Sequence, residues 1–373
     1  MRNPFTPTFG KTPPVTAGRR DDLDEFAYAL DTPGAMGRMT LITGARGMGK
    51  TVMLNEMERV AREAGWAVLS ETAVPGLMDR LAGVGLPAIL DDVHRPGDHV
   101  SVQGASLGAL GVSASVRTET ENERPVGWNV RRLIGAITDH RGLVITLDEV
   151  HRHATDDLRL LTTTLQHAIR EDRPVVFVAA GLPSAVSDLL QDEVLTFLRR
   201  AQRIDLGRLP DHAVRRALVV PARDAGLPFD RDGAAAAVDG SRGYPFLVQL
   251  MGSEAFRCAQ RAGSAEITEQ HVATALPRTL RIMGQNVHDT ALATLSPKDR
   301  AYLDAMTFDA GPSRTGTIAQ RLGVTPGHAG MYRRRLLDHG VIAAPQRGVV
   351  EFALPYLREH LVAARSEQSP DAE

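Results

Sequence analysis

Two short stretches have the residue types and spacing to do chemistry on a polyphosphate. The first is GARGMGKT, Gly44 to Thr51, which satisfies G-x-x-x-x-G-K-[ST]. Its glycines, Gly44, Gly47 and Gly49, let the backbone turn sharply. Main-chain N–H groups along Ala45, Arg46, Met48, Lys50, Thr51 and Val52 can then face phosphate oxygens, and the N-terminus of a following helix adds favourable partial charge. Lys50 would reach the β- and γ-phosphates and Thr51 would place its hydroxyl on Mg²⁺. The second stretch is LVITLDEVHR, Leu143 to Arg152, an apolar run ending in two carboxylates. Mg²⁺ is a hard cation that takes oxygen ligands, so Asp148 would complete its shell, while Glu149 would orient and deprotonate an attacking water.

The chain also contains a near copy of the second stretch. AILDDVHRP, Ala88 to Pro96, repeats LDDVHR for LDEVHR. Pro87 interrupts its lead-in, whereas Leu143 to Leu147 is long enough for a central strand, so Asp148 and Glu149 are the expected pair and Asp91 and Asp92 a solvated helix end. His151 and His153 follow the carboxylates without the spacing of a helix-borne ligand pair or a cysteine to accompany them, which argues against zinc. Lysine occurs only as Lys11, Lys50 and Lys298 among 43 basic residues. A lysine kept against such an arginine bias is notable where a compact ammonium suits the chemistry.

The elements that must position these groups can be read from apolar periodicity. A proline-rich start to about Gly18 leads into a helix with Leu23, Phe26, Ala27 and Leu30 on one face. Met39 to Thr43 is a short strand, the glycine loop follows, and Val52 to Val60 is a helix; Trp66 to Leu69 is a second strand. Strand, loop, helix, strand makes a βαβ unit. Small and β-branched residues with glycines from Asp98 to Arg117 suggest an inserted hairpin. A helix over Trp128–Thr138, a strand over Leu143–Leu147, a helix over Asp156–Ile169 and a strand over Val175–Ala180 continue the alternation, so the fold class is α/β with a parallel sheet covered by helices. From Pro210 strand signals stop and helices are expected over Asp211–Asp224, Gly233–Val238, Tyr244–Ala262 and Thr268–Met283. The expected organisation is an α/β domain over 1–209, a helical segment over 210–285, a C-terminal domain over 286–365 and a polar, disordered tail over 366–373.

The chain has 373 residues, 43% hydrophobic and 24% charged, with a formal net charge of -2. That is enough for two or three ordinary globular domains, and it makes any nucleic-acid contact local. The single cysteine, Cys258, excludes an internal disulfide framework and fits a reducing cytoplasm. The proline-containing start lacks the apolar core of a signal peptide, and no stretch has the length of a membrane helix.

FGKTPPVTAGRR, GARGMGKT and LDEVH, followed by a helical segment and a C-terminal helix-turn-helix, together resemble the AAA+ P-loop ATPases of the origin-recognition and archaeal-ATPase type. The resemblance covers nearly the whole chain, with its specificity concentrated in the two phosphate motifs. It implies a P-loop sheet, a helical lid and a winged helix, with ATP and Mg²⁺ as ligand and cofactor. It also implies that Pro14, Gly18 and Arg19 lie against the adenine, with a proline-rich turn as the plainer reading of the same residues. Where the family places a polar sensor after the Asp-Glu strand, this chain has Ala179, Ala180 and Gly181, a departure that bears against rapid turnover. An arginine finger would be sought among Arg199, Arg200 and Arg203, which a solvated helix face explains equally well. Arg242 is the corresponding sensor candidate in the lid, or simply a helix-start arginine.

Gly316 to Ile342 has a helix, a short glycine turn and a second helix, with Ile318, Ala319, Leu322, Val324, Met331 and Leu336 or Leu337 expected to point inward. QRGVVEFALP from Gln346 would add a wing-like strand pair. Arg333, Arg334 and Arg335 are the natural contacts for duplex DNA if the second helix enters a major groove. The domain has only a weak excess of positive charge, and such domains also contact proteins or further copies of the same chain. Two readings follow: an ATPase whose hydrolysis drives remodelling or loading on DNA, or a slow nucleotide-controlled switch whose C-terminal domain engages a protein or DNA partner.

Overall fold

The computed structural model describes residues 1–8, 10–94, 126–150, 155–191 and 195–368. The expected hairpin at 98–117 and the two histidines His151 and His153 lie outside the described residues. After an extended N-terminal strap, α1 (Arg20–Asp31) leads into β1 (Met39–Thr43), α2 (Lys50–Glu63), β2 (Ala67–Thr72), α3 (Leu77–Arg80) and α4 (Leu86–His94). Next come α5 (Val126–Thr138), β3 (Leu143–Val150), α6 (Thr155–Arg170), β4 (Val175–Gly181), α7 (Pro183–Gln191) and β5 (Gln202–Asp205). The five strands form a parallel sheet in the order β2-β3-β4-β1-β5.

Central strands of such a sheet are covered on both faces, which is why they read as apolar runs rather than as alternating ones. Every residue of β4 is buried. Alternate residues still serve different layers. Ile42, Val144, Val176 and Val178 pack with Met53, Leu54 and Met57 of α2. Leu41, Leu143, Ile145, Leu147 and Phe177 face the other layer, with Leu77, Ile134 and Leu161 from the helices there.

Four helices follow, α8 (Asp211–Asp224), α9 (Arg231–Ser241), α10 (Pro245–Arg261) and α11 (Glu269–Met283), and then a π-helical turn over Gly284–His288 and the short α12 (Asp289–Ala293). The helical segment has its own core, which the strap joins through buried Phe5. The last region holds α13 (Pro297–Met306), β6 (Ser313–Arg314), α14 (Thr315–Leu322), α15 (Pro326–Asp338), β7 (Ile342–Ala343), β8 (Val349–Phe352) and α16 (Leu357–Gln368), with an antiparallel sheet in the order β6-β8-β7. The α14–α15 turn is made at Gly323, whose φ of 63° is the left-handed conformation that glycine adopts without a Cβ penalty.

Three expectations for this region need correction. Met331 is 53% exposed, because the buried face of α15 is Ala329, Tyr332 and Leu336, spaced at three and four residues, and Met331 stands one position around the helix from it. The strand pair does not start at Gln346: its first strand is Ile342–Ala343, and Gln346 lies in the turn between the two. Ser366 to Gln368 belong to α16 rather than to a disordered tail. Among the described residues no helix is long and apolar enough to cross a membrane.

Candidate active site

A cavity of about 510 Å³ opens where the glycine loop meets the carboxyl end of the sheet. Its floor is the loop from Arg46 to Thr51 together with Asp148, Glu149 and Gly181. Thr6, Pro7, Thr8 and Lys11 of the strap line it from one side, Pro245, Phe246 and Gln249 of α10 from another, and Asn286 and Thr290 of the connector complete it. Ligands of open parallel sheets sit at this end of the strands.

The loop is held from the helical segment. Gly47 and Gly49 have φ of 73° and 89°, and a Cβ at Gly47 would collide with the Tyr244 ring. Tyr244 is fully buried, and its hydroxyl donates to the Arg46 carbonyl. Burial pushes the phenol well above its ordinary range, so it remains a donor. Lys50 Nζ donates to the carbonyls of Gly44, at 2.9 Å, and Ala45, at 3.1 Å. Burial lowers the Lys50 ammonium; Asp148 and Glu149 oppose that, and Arg46 adds to it.

Below the lysine, Thr51 Oγ1 donates to Asp148 Oδ2 at 2.5 Å. A second polar link runs beside it, where Thr146 Oγ1 donates to Glu58 Oε1 at 2.6 Å. Thr51 and Glu58 are seven residues apart, two turns along one face of α2, while Thr146 and Asp148 share a face of β3. The two links therefore fix helix against strand in rotation as well as distance. The Glu58 side chain is 7% exposed and also pairs with Arg62 at 3.0 Å, so its burial is compensated.

At Asp148 the strand changes. Its register against β4 breaks between Leu147 and Val150, and Glu149 takes a φ of 54°. A bulge of this kind re-aims a side chain, and a non-glycine residue in the left-handed region is strained. The bulge turns Glu149 outward to an exposed position in the cavity lining, while Asp148 Oδ1 accepts from the Glu149 N–H at 2.8 Å.

The remaining sequence candidates fall in several places. Arg19 lines the cavity and donates to Gly207 O at 2.7 Å; burial lowers its guanidinium, which Asp22 partly offsets. Pro14 and Gly18 are not in the lining, and Gly18, with a φ of 72°, instead backs onto Leu209 and Ala213. Arg199 donates to Leu190 O at 2.9 Å, and it, Arg200 and Arg203 are exposed, none of them lining the cavity. Arg242 lies outside it too: its guanidinium stacks 3.7 Å from the Tyr356 ring centre and pairs with Glu359 at 3.1 Å. Arg335 is held by Asp299, with Nη2 to Oδ1 at 2.6 Å, and stacks over Tyr332, so it secures α15 to α13. Arg334 is exposed and Arg333 half-buried. Asp91 and Asp92 end α4, with Asp92 paired to Arg141.

Sequence reasoning missed Tyr244, Glu58 and the strap. Only Glu58 had a local signal, an acid seven residues after Thr51 among the apolar positions of α2. The loop also meets the C-terminal region. Ser184 Oγ of α7 donates to Asp338 O at 2.5 Å, and a Cβ at Gly340 would lie 3.7 Å from the Ala45 side chain.

Residues 16–178 match the AAA ATPase domain family, and residues 285–361 match a family described as a domain of unknown function, DUF8462. No curated protein matches the chain. A Walker-type ATPase of Pyrococcus abyssi superposes with a TM-score of 0.66 at 14% identity, covering 93% of this chain and 96% of that one. The ORC2 protein of Aeropyrum pernix, in ADPNP and ADP complexes, gives 0.61 at 16%, covering 97% and 98%. Cdc6p of Pyrobaculum aerophilum gives 0.51 at 14%, covering 97% of each. Such identities speak to the fold. Residues 16–178 are therefore an AAA ATPase domain, and the chain as a whole has a fold similar to that of these ATPases.

Proposed function

We propose that the chain binds Mg-ATP in this cavity and hydrolyses it, and that the nucleotide state sets the posture of residues 286–365, acting as a winged helix, towards duplex DNA. The parts are the α/β domain over 1–209, a helical lid over 210–285 and the winged helix. The observation that carries the reading is the 2.5 Å link from Thr51 to Asp148 under the loop lysine, which brings two hard oxygen donors to one point. That donor set suits Mg²⁺, with Thr51 and Asp148 as its protein ligands. When bound, the ion neutralises charge on the β- and γ-oxygens. Lys50 exchanges its loop carbonyls for phosphate oxygens. Glu149 holds the water that attacks the γ-phosphorus and takes its proton; the bond from that phosphorus to the β–γ bridging oxygen breaks, and ADP leaves with the electron pair.

The test is Glu149→Gln in the full chain. ATP binding is expected to persist while steady-state phosphate release falls to background; turnover surviving in that variant rejects the role of Glu149. On the DNA side, binding is expected to weaken steeply with salt and with Arg333→Ala and Arg334→Ala together, whereas Arg335→Ala would unfold α15 from α13 and so confuse the result. No salt-sensitive duplex binding in either nucleotide state would favour the second reading, a slow switch acting on a protein partner. Two observations support that alternative: the apolar end of β4 at Ala179, Ala180 and Gly181, and the approach of the C-terminal region to the loop, where a Cβ at Gly340 would lie 3.7 Å from Ala45.

A further inference from the structure

We propose that the Arg46 side chain contacts the γ-phosphoryl group directly and stabilises its charge during transfer, a catalytic role supplied in cis by the loop itself. The proposal rests on the nucleotide reading above and goes beyond the backbone role that the motif gives this position.

Three observations carry it. Arg46 lines the cavity beside Gly47, Lys50, Asp148, Glu149 and Gly181, and is half-buried there. Its charge is felt at the Lys50 ammonium, where it adds to the lowering by burial, and at the Tyr244 phenol, where it opposes in small part the raising by burial. Its backbone is fixed, because the carbonyl accepts from Tyr244, so the side chain departs from a constrained point rather than from a mobile loop.

The second observation concerns partners. The other half-buried cations of the cavity are engaged, Lys50 with Gly44 O and Ala45 O and Arg19 with Gly207 O. The Arg46 guanidinium has no hydrogen bond or ion pair among the described residues. A partly desolvated guanidinium without an anion is costly, and the cavity it faces is shaped for phosphates. Its planar fork can take two phosphoryl oxygens at once, which an ammonium cannot.

The third is what the opposite strand lacks. β4 ends in buried Ala179 and Ala180 and in Gly181, which lines the cavity without a side chain. Among the described residues, β4 brings no polar side chain to the cavity to distinguish a γ-phosphate from its absence. Arg199, Arg200 and Arg203 are outside the cavity and would need a neighbouring copy. Arg46 needs none.

The experiment compares affinities for a non-hydrolysable ATP analogue and for ADP, together with turnover, in the full chain and in Arg46→Ala, Arg46→Gln and Lys50→Ala. For both Arg46 variants the analogue is expected to bind roughly 10-fold more weakly while ADP affinity stays within about 2-fold, and turnover to fall about 100-fold. Lys50→Ala should lose both nucleotides. Using two Arg46 variants with unchanged melting temperatures as the standard removes misfolding as an explanation. Equal weakening towards ATP and ADP, or an unchanged preference with unchanged turnover, overturns the role of Arg46 and leaves the nucleotide site standing. A wild-type chain that binds neither nucleotide overturns both.

Discussion

AILDDVH and LVITLDEV share the run of a leucine, two acids and a valine, yet one ends a helix and the other is the second strand of the sheet. In α4 the acids face solvent, and Asp92 pairs with Arg141 between side chains 30% and 33% exposed. In β3 the two acids follow five buried residues, four of them apolar and the fifth Thr146, and Asp148 meets Thr51 from α2. The carboxylates are chemically equivalent. What differs is the lead-in: Pro87 interrupts the one before Asp91, whereas Leu143 to Leu147 runs unbroken through the centre of a parallel sheet and delivers the acid at its carboxyl edge, where the loop is. A local motif thus acquires function from the element that carries it.

The comparison can be broken most sharply by matched substitutions. Asp148→Asn is expected to lower ATP turnover by about 100-fold or more, since it removes charge where the proposed ion sits. Asp91→Asn should leave turnover within about 2-fold. Comparable losses in both variants, measured by phosphate release, would mean that the two acids were assigned the wrong way round. A smaller effect sharpens the other side: Asp92→Asn should reduce stability by no more than about 1 kcal/mol, because the Arg141 pair is partly solvated and screened. A larger loss in thermal unfolding would make that helix end structural rather than merely solvated.

The fold was legible where its information is local. A glycine loop between two apolar runs, and strands buried on both faces, leave continuous signatures in the chain, and the helices from Asp211 to Met283 lie close to their expected bounds. The glycine loop between β1 and α2 was legible for the same reason. Tyr244 was not, because its value lies in reaching a carbonyl nearly 200 positions away, and a buried tyrosine before a helix looks like any other core residue. Arg335 was misread because three consecutive arginines look alike in sequence; only the fold shows that Asp299 holds one of them. Met331 failed for a geometric reason: one residue is about 100° around a helix, and pattern alone placed the buried face one step away.

The approach of Gly340 to Ala45 is also a matter of leverage. α15 has 13 residues and ends two positions before Gly340, at the Asp338 carbonyl that Ser184 holds. A helix of that length spans about 20 Å, so a tilt of about 5° at this end moves the other by roughly 1.7 Å. Arg335 and Asp299 couple α15 to α13, so neighbouring helices travel with it. Gly340 sits where even an added Cβ would come only to 3.7 Å from Ala45 of the loop, so by this geometry a small displacement at that end of α15 would become a larger step at the far tip of the helix.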